Sequence, residues 1–174
     1  MKILKTALLL LLSIVLLVSA VIGIEYFGGQ PMGLFAGSRP SGLGFKGGQF
    51  KPPSYKPNTV SSTVAKDDSH YIAPIAINGD PAAAWKKLAA VVRAYERATI
   101  VTESPDYLYA EFKSAGMGFV DDVEFALDAS ANVIHVRSAS RLGVRDFDVN
   151  RKRIEAIRTT HRAAIHSTIR SALQ

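Results

Sequence analysis

Four runs of strand-forming residues follow one another between Thr99 and Ser140, joined by turns too short for anything but hairpins. Thr99 to Glu103 and Tyr107 to Ser114 flank a Ser-Pro-Asp turn, and Phe119 to Asp128 and Val133 to Ser140 form a second hairpin. A parallel pair needs a crossover of about a dozen residues or more, and no gap in this stretch supplies one. The sheet is therefore expected to be antiparallel, whatever else the chain does.

The rest of the domain is expected to cover one face of that sheet. His70 to Ile77 reads as a short strand that Pro74 confines to an edge. "NGDPAAAWKKLAAVVRAY" reads as a helix with Asp80 as N-cap and Pro81 at its first position. Val149 to about Ser171 reads as a long helix with Ile154, Ile157, Ala164, Ile165 and Ile169 on one stripe. The order β-α-β-β-β-β-α predicts an α+β fold, an antiparallel sheet of about five strands with two helices. In element order it resembles the helix-grip arrangement.

Ahead of this lie two further segments. From Thr6 to Ile24 there is no charged residue, and at ~1.5 Å per residue such a helix nearly spans a bilayer's hydrocarbon core. Residues 1–27 predict a signal anchor, or a signal peptide cleaved after Ala20 in Val18-Ser19-Ala20. The apolar run continues past Ala20 to Tyr26 and Phe27, which favours the anchor. With Lys2 and Lys5 held in the cytoplasm, the expected location is the cell membrane, single-pass, with the domain outside the cytoplasm. Cleavage would instead leave it soluble in the periplasm. Residues 28–58, with eight glycines and five prolines up to Pro57, predict a tether, and 59–174 the α+β domain. Leu43, Phe45 and Phe50 are the tether residues suited to packing on that domain.

The net charge of +6 is unevenly placed. Residues 59–128 carry 6 basic and 11 acidic groups, and 129–174 carry 9 and 3, so the domain itself is nearly neutral. Export and that balance argue against nucleic acid as a partner. If the last hairpin turns at Ala129 to Asn132, Phe125 faces Val136, Leu127 faces Ile134, Glu124 faces Arg137 and Ala126 faces His135. Asp122 stands on the same face as Glu124. Read plainly, this is a solvated sheet face with compensating charges, and Arg151, Lys152, Arg153, Arg158 and Arg162 are the wet side of the last helix. The functional alternative is an anion site of Arg137, Ser138, Ser140 and Arg141, in which forked guanidinium donors and hydroxyls meet a phosphate or carboxylate.

Enzymatic readings find less support. Asp122, Glu124 and His135 are the only acid–base set in view, and no nucleophile elbow, zinc helix or calcium loop is present. His161 and His166 are five apart and do not share a helix face as metal ligands would. The absence of cysteine removes thiolate chemistry and disulfides. No cofactor or metal is expected.

The motifs "PNTVSS", "HYIAPI", "YLYAEFKS", "GFVDDVEF" and "RSASRLGVRDFDVNRKRIE" resemble the bacterial and plastid family called domain of unknown function 1499, over about Gly44 to Arg158. The resemblance implies a shared fold and draws attention to Asp121, Asp122, Glu124, Arg137, Ser138, Ser140, Arg141, Asn150 and Arg153 as a group. Where that family usually has Cys in the first motif, this chain has Thr59, which argues against a thiol role there. The expected function is a membrane-tethered binding or assembly module for an anionic small molecule, a lipid or an envelope partner. A structural protein-interaction domain is the alternative, and a hydrolase or isomerase using Asp122, Glu124 and His135 the third reading.

Overall fold

The computed structural model describes residues 2–27 and 35–172. The chain divides into two compact units, Met1–Leu34 and Phe35–Gln174. The first contains helix α1 (Lys2–Phe27), whose apolar side chains from Leu8 to Val18 are all exposed. Among the described residues no helix is long and apolar enough to cross a membrane.

The second unit is an antiparallel sheet with two helices on one face. Its strands are β1 (Thr59–Ser61), β2 (Ile75–Ala76), β3 (Ala98–Glu103), β4 (Tyr107–Lys113), β5 (Val120–Asp128) and β6 (Val133–Ser140), in the order β1-β6-β5-β4-β3 with β2 also on β6. The two hairpins form as their turns dictate. Phe125 pairs with Val136, Leu127 with Ile134, Glu124 with Arg137 and Ala126 with His135, the register expected from the charge and apolar pattern. β1 and β2 divide the flank of β6 between them, β1 taking Arg137 to Ala139 and β2 Val133 to Ile134. β1 is the sixth strand. Its three residues are too short to show a period, so the sequence did not announce it. The expected His70–Ile77 strand is shorter, because Pro74 cannot donate to a ladder: Ile75 and Ala76 form β2, and before the proline Tyr71 makes only an isolated parallel bridge with Ser61.

Helices α2 (Pro81–Arg93) and α3 (Val149–Ala172) pack on the sheet and on each other. Asp80 caps α2, its carboxylate accepting from the Ala82 and Ala83 N–H groups at 3.4 and 2.8 Å. Trp85, Leu88 and Val92 point from α2, and Ile154 and Ile157 from α3, onto Leu108, Val123, Phe125, Ile134 and Val136. The side chain of Ile169 lies outside the described residues. The wet face expected of α3 is only partly wet. Arg153 and Arg158 are half-buried, and Arg158 donates to the Ala73 and Pro74 carbonyls at 2.6 and 2.7 Å. Pro74 leaves that stretch without a ladder, and the guanidinium fork satisfies two of its carbonyls instead.

The larger departure is on the sheet's second face. From Phe35 on, the segment expected to be a tether lies on the sheet, with Phe50 buried at 3% exposure. Phe45 stacks on His135 at 5.4 Å and meets Phe50 edge-on at 4.9 Å. Its glycines serve shape, not flexibility. Gly37 has φ +65°, and a Cβ there would fall 3.0 Å from Leu142 Cγ. Residues 28–34 of the expected tether lie outside the described residues. The unit therefore has three layers: helices, sheet and an irregular strap (residues 35–58).

His161 completes the α3 stripe, buried at 1% with its Nε2 donating to the Ala84 carbonyl at 2.9 Å. Burial holds its pKa below the ordinary histidine value, the Ala84 bond opposes this in part, and Lys87 adds to it. The native state thus favours neutral His161. Its contribution to stability is complete above the unfolded histidine value of about 6.5 and is lost as pH falls toward the lowered native value. The melting temperature should fall with acidification through that window, and His161→Gln, which keeps a donor for Ala84, should fall less. Parallel pH profiles for the two proteins would contradict this assignment.

Candidate functional site: a charged layer beneath the strap

Strand alternation sorts the charged motifs onto two faces. Tyr107, Tyr109 and Glu111 of β4, Asp122 and Glu124 of β5, and His135 and Arg137 of β6 all point toward the strap. Asp121, Ser138 and Ser140 point the other way, toward α3. The four residues expected to form one anion site are split by this parity. Arg137 and Arg141 work on the strap face, while the Ser138 and Ser140 hydroxyls belong to the helix side.

On the helix side Asn150 is the hub, fully buried. Its amide donates to the Asn58 carbonyl, Ser140 Oγ and Asp146 Oδ2 at 3.0, 2.9 and 2.8 Å. Its Oδ1 accepts from Ser138 Oγ and, at 2.8 Å, from Arg153 Nη1. Arg153 also pairs with Asp121 and lies over the Phe112 ring at 5.0 Å. These groups bind one another and fasten the start of α3 to β1 and β6.

On the strap side the charges are as buried as a core. Glu124 is 0% exposed, Asp122 1% and Arg137 6%, which replaces the expected solvated face with an enclosed ionic layer. The physical reason is the strap, which both excludes water and supplies donors. Glu124 Oε1 accepts from the Gly44 N–H at 2.7 Å and from Tyr107 Oη at 2.8 Å, and its Oε2 accepts from Arg137 Nη1 at 2.9 Å. Arg137 Nε donates to the Lys51 carbonyl at 3.0 Å. Four residues past Arg137, Arg141 Nε grips both oxygens of Asp122 at 3.1 and 3.0 Å, and its Nη2 reaches Tyr109 Oη and Glu111. Arg39 from the strap closes on Glu111 at 2.7 Å.

The pKa directions follow from this geometry. Burial, reinforced by the Glu124 carboxylate, drives Tyr107 upward, and burial with the Asp122 bond does the same to Tyr109. Both phenols therefore remain donors at any ordinary pH. Desolvation would raise Glu111, but bonds from Arg39 and Arg141 win and lower it. Desolvation likewise opposes charge on Arg141, yet Asp122 and Glu111 raise its pKa. His135 is lowered by burial; its Nδ1 meets Ser62 Oγ at 3.1 Å and its ring meets Phe45. Asp122, Glu124 and His135 share a face, but each carboxylate is bound to an arginine and a tyrosine, and the histidine to a serine. The arrangement is one of fixed ion pairs, and among the described residues neither Asp122 nor Glu124 is hydrogen-bonded to the imidazole.

Between strap and sheet runs a cleft of about 220 Å³, lined among others by Lys51, Lys56, Asn58, Asp122, Arg137 and Arg141. Arg137 Nη2 and Lys56 Nζ make no hydrogen bond among the described residues. Lys51, Lys56 and Arg39 carry no motif in sequence, because the irregular segment that holds them has no period to read. Tyr109 and Glu111 were legible in principle, since alternation in "YLYAEF" puts them on the face of Asp122. Among the described residues no three His, Cys, Asp or Glu side chains gather as a metal ion would require. His70 is tied to Asp68 at 2.7 Å and to the Lys56 carbonyl at 3.1 Å. The side chain of His166 lies outside the described residues.

Removing one partner of a buried ion pair strands the other, at a cost of about 3–5 kcal/mol. Arg137→Met should therefore destabilise by that order in denaturant melts, and Glu124→Leu with Arg137→Met by much less than the sum of the single changes. Exchanging the two charges should not rescue, because an arginine at position 124 would face the Gly44 and Tyr107 donors. Additive losses in the double variant would refute the coupling.

A family model described as Protein of unknown function (DUF1499) matches residues 49–160. The match takes in part of the strap, all six strands, α2 and the first half of α3. No curated protein and no solved structure matches the chain. The chain belongs to the DUF1499 family.

Proposed function

We propose that the protein is a membrane-anchored, extracytoplasmic binding module whose ligand presents a small anionic group to the cleft between strap and sheet. The observation that carries this reading is the cleft's lining. Lys51, Lys56, Arg137 and Arg141 border it against the single carboxylate of Asp122, and each of these cations keeps a donor hydrogen that no bond among the described residues uses. A phosphate or carboxylate matches that chemistry, because a guanidinium edge and an ammonium can both donate to its oxygens. Of the four residues expected to form the anion site, Arg137, Ser140 and Arg141 line the cleft, and Lys51 and Lys56 join them.

The anchoring half of the reading rests on the sequence, in which Thr6 to Ile24 is uncharged, and on the exposure of the apolar α1 side chains. Lys2 and Lys5 favour a cytoplasmic N-terminus. Fractionation with the mass of the mature N-terminus tests it: full-length chain in the membrane fraction is expected, and full-length chain in the cytosol would overturn it. A second reading, a protein-interaction domain, draws on a mostly apolar groove of about 540 Å³ between α2 and α3, bordered by Val91, Ala94, Tyr95 and Ala164.

Lys56 separates ligand binding from folding, since its ammonium holds nothing in the fold. Titration of the full chain with inorganic phosphate and with a short-chain phospholipid should show saturable binding. Lys56→Gln should weaken it severalfold while leaving stability within about 0.5 kcal/mol. Absence of saturable binding of either probe to the unaltered protein would overturn the anion reading.

A further inference from the structure

Every exposed large apolar side chain described in the second unit lies in segments at one end of the sheet. They are Phe35 at the start of the strap, Tyr55 shortly before β1, Met117 in the β4–β5 turn, and Leu142, Val144, Phe147 and Val149 in the stretch after β6. These segments adjoin one another. The Arg141 N–H donates to the Val120 carbonyl, the Ser140 N–H to that of Asn58, and the Ser114 N–H to that of Phe119. Phe35 stacks on Phe119 at 5.0 Å, and Gly37 lies against Leu142. The opposite end, with the Asp128–Asn132 turn, exposes no such side chain.

Phe147 is the most costly of them. It is 84% exposed and sits at φ 54°, followed by Asp148 at φ 64°, two successive residues in the left-handed region that a bulky side chain avoids. A chain that held an aromatic ring in water at such a backbone position would gain nothing from burial. Basic groups frame the patch. Arg145 makes no hydrogen bond or ion pair among the described residues, Lys152 reaches only the Phe147 carbonyl at 3.4 Å, and Lys56 lies at the nearby cleft. Asp146 is turned inward, capping Asn150.

We propose that this end of the sheet docks on an anionic lipid surface. Leu142, Val144 and Phe147 enter the headgroup boundary, and Arg145, Lys152 and Lys56 meet the lipid charge. Two properties favour lipid over a protein partner. Scattered apolar tips between cations suit a fluid interface, where each tip is buried separately and each cation near the surface adds attraction. The chain also enters the unit at this end, at Phe35, and the sequence before it carries the uncharged run. Docking goes beyond the cleft reading and does not depend on it.

The cysteine-free chain makes the test direct. Val144→Cys and Ala129→Cys each carry one label, on exposed residues at opposite ends. The full-length proteins, labelled with an environment-sensitive fluorophore, are reconstituted in phosphatidylcholine vesicles with or without phosphatidylglycerol, all containing nitroxide-bearing lipid. Quenching at position 144 should exceed that at 129 severalfold, should grow with phosphatidylglycerol, and should fall when Phe147→Ser is added. Phe147→Ser should leave the thermal melt unchanged, which separates lost docking from lost fold. Equal quenching at the two positions would overturn the proposal. So would an unquenched label at 144 together with disulfide-linked dimers of the unlabelled Val144→Cys protein, which would assign this end to self-association.

Discussion

Burying Glu124 and Arg137 side by side sets the terms for the rest of the second unit. A carboxylate taken out of water must have its lone pairs filled, and the facing strand supplies only one donor, at 2.9 Å. Tyr107 provides another from β4, and the third comes from the Gly44 backbone. That third donor comes from the strap and not from the sheet. The strap must therefore fold down for the ionic layer to exist, and it can do so only where glycine leaves its backbone free to turn. Gly44, at φ 127°, is such a position. The irregular segment and the regular sheet are two halves of one electrostatic solution.

How much of this was legible depends on which interactions have a period. The β5–β6 register followed from turn length and alternation, because a slip of one residue would have driven Phe125 and Val136 to the wrong face. The Asp80 cap and the α2 stripe were likewise local signals. The strap was misread because glycine and proline report what a backbone avoids, and say little about where it packs. Phe45 and Phe50 hinted at packing, but nothing local said that the covered surface would be ionic. Ser138 and Ser140 send their hydroxyls to the helix side, although Ser140 also lines the cleft with Arg137 and Arg141. The two-residue period of a strand separates the hydroxyls from the Arg137 guanidinium although they are neighbours in sequence.

The two polar networks do different work although both are built from arginine, acid and hydroxyl. Around Asn150 the donors and acceptors are matched within the helix side, and the result is a fastening between α3, β1 and β6. On the strap side the matching is incomplete. Asp122, Glu124 and Glu111 are filled, while Arg137 and Lys56 keep donors at the cleft. Those spare donors are the ones the proposed anion would meet.

Asn58 joins the helix-side network to the exposed end. Its carbonyl takes the Ser140 N–H and an Asn150 amide hydrogen, at 3.0 Å each, and its own amide reaches the Gly143 carbonyl, also at 3.0 Å. Arg141, one residue past β6, sends its guanidinium into the strap-side layer, while its successor Leu142 stands at the apolar end. The loop that presents Leu142, Val144 and Phe147 is thus held from both faces of the sheet within a few residues of the cleft. Its strained backbone at Phe147 and Asp148 persists because Asn58, Arg141 and Asn150 fix the chain on either side of it. An exposed apolar tip on so constrained a loop keeps its position before any surface arrives, and docking then spends little free energy on ordering it.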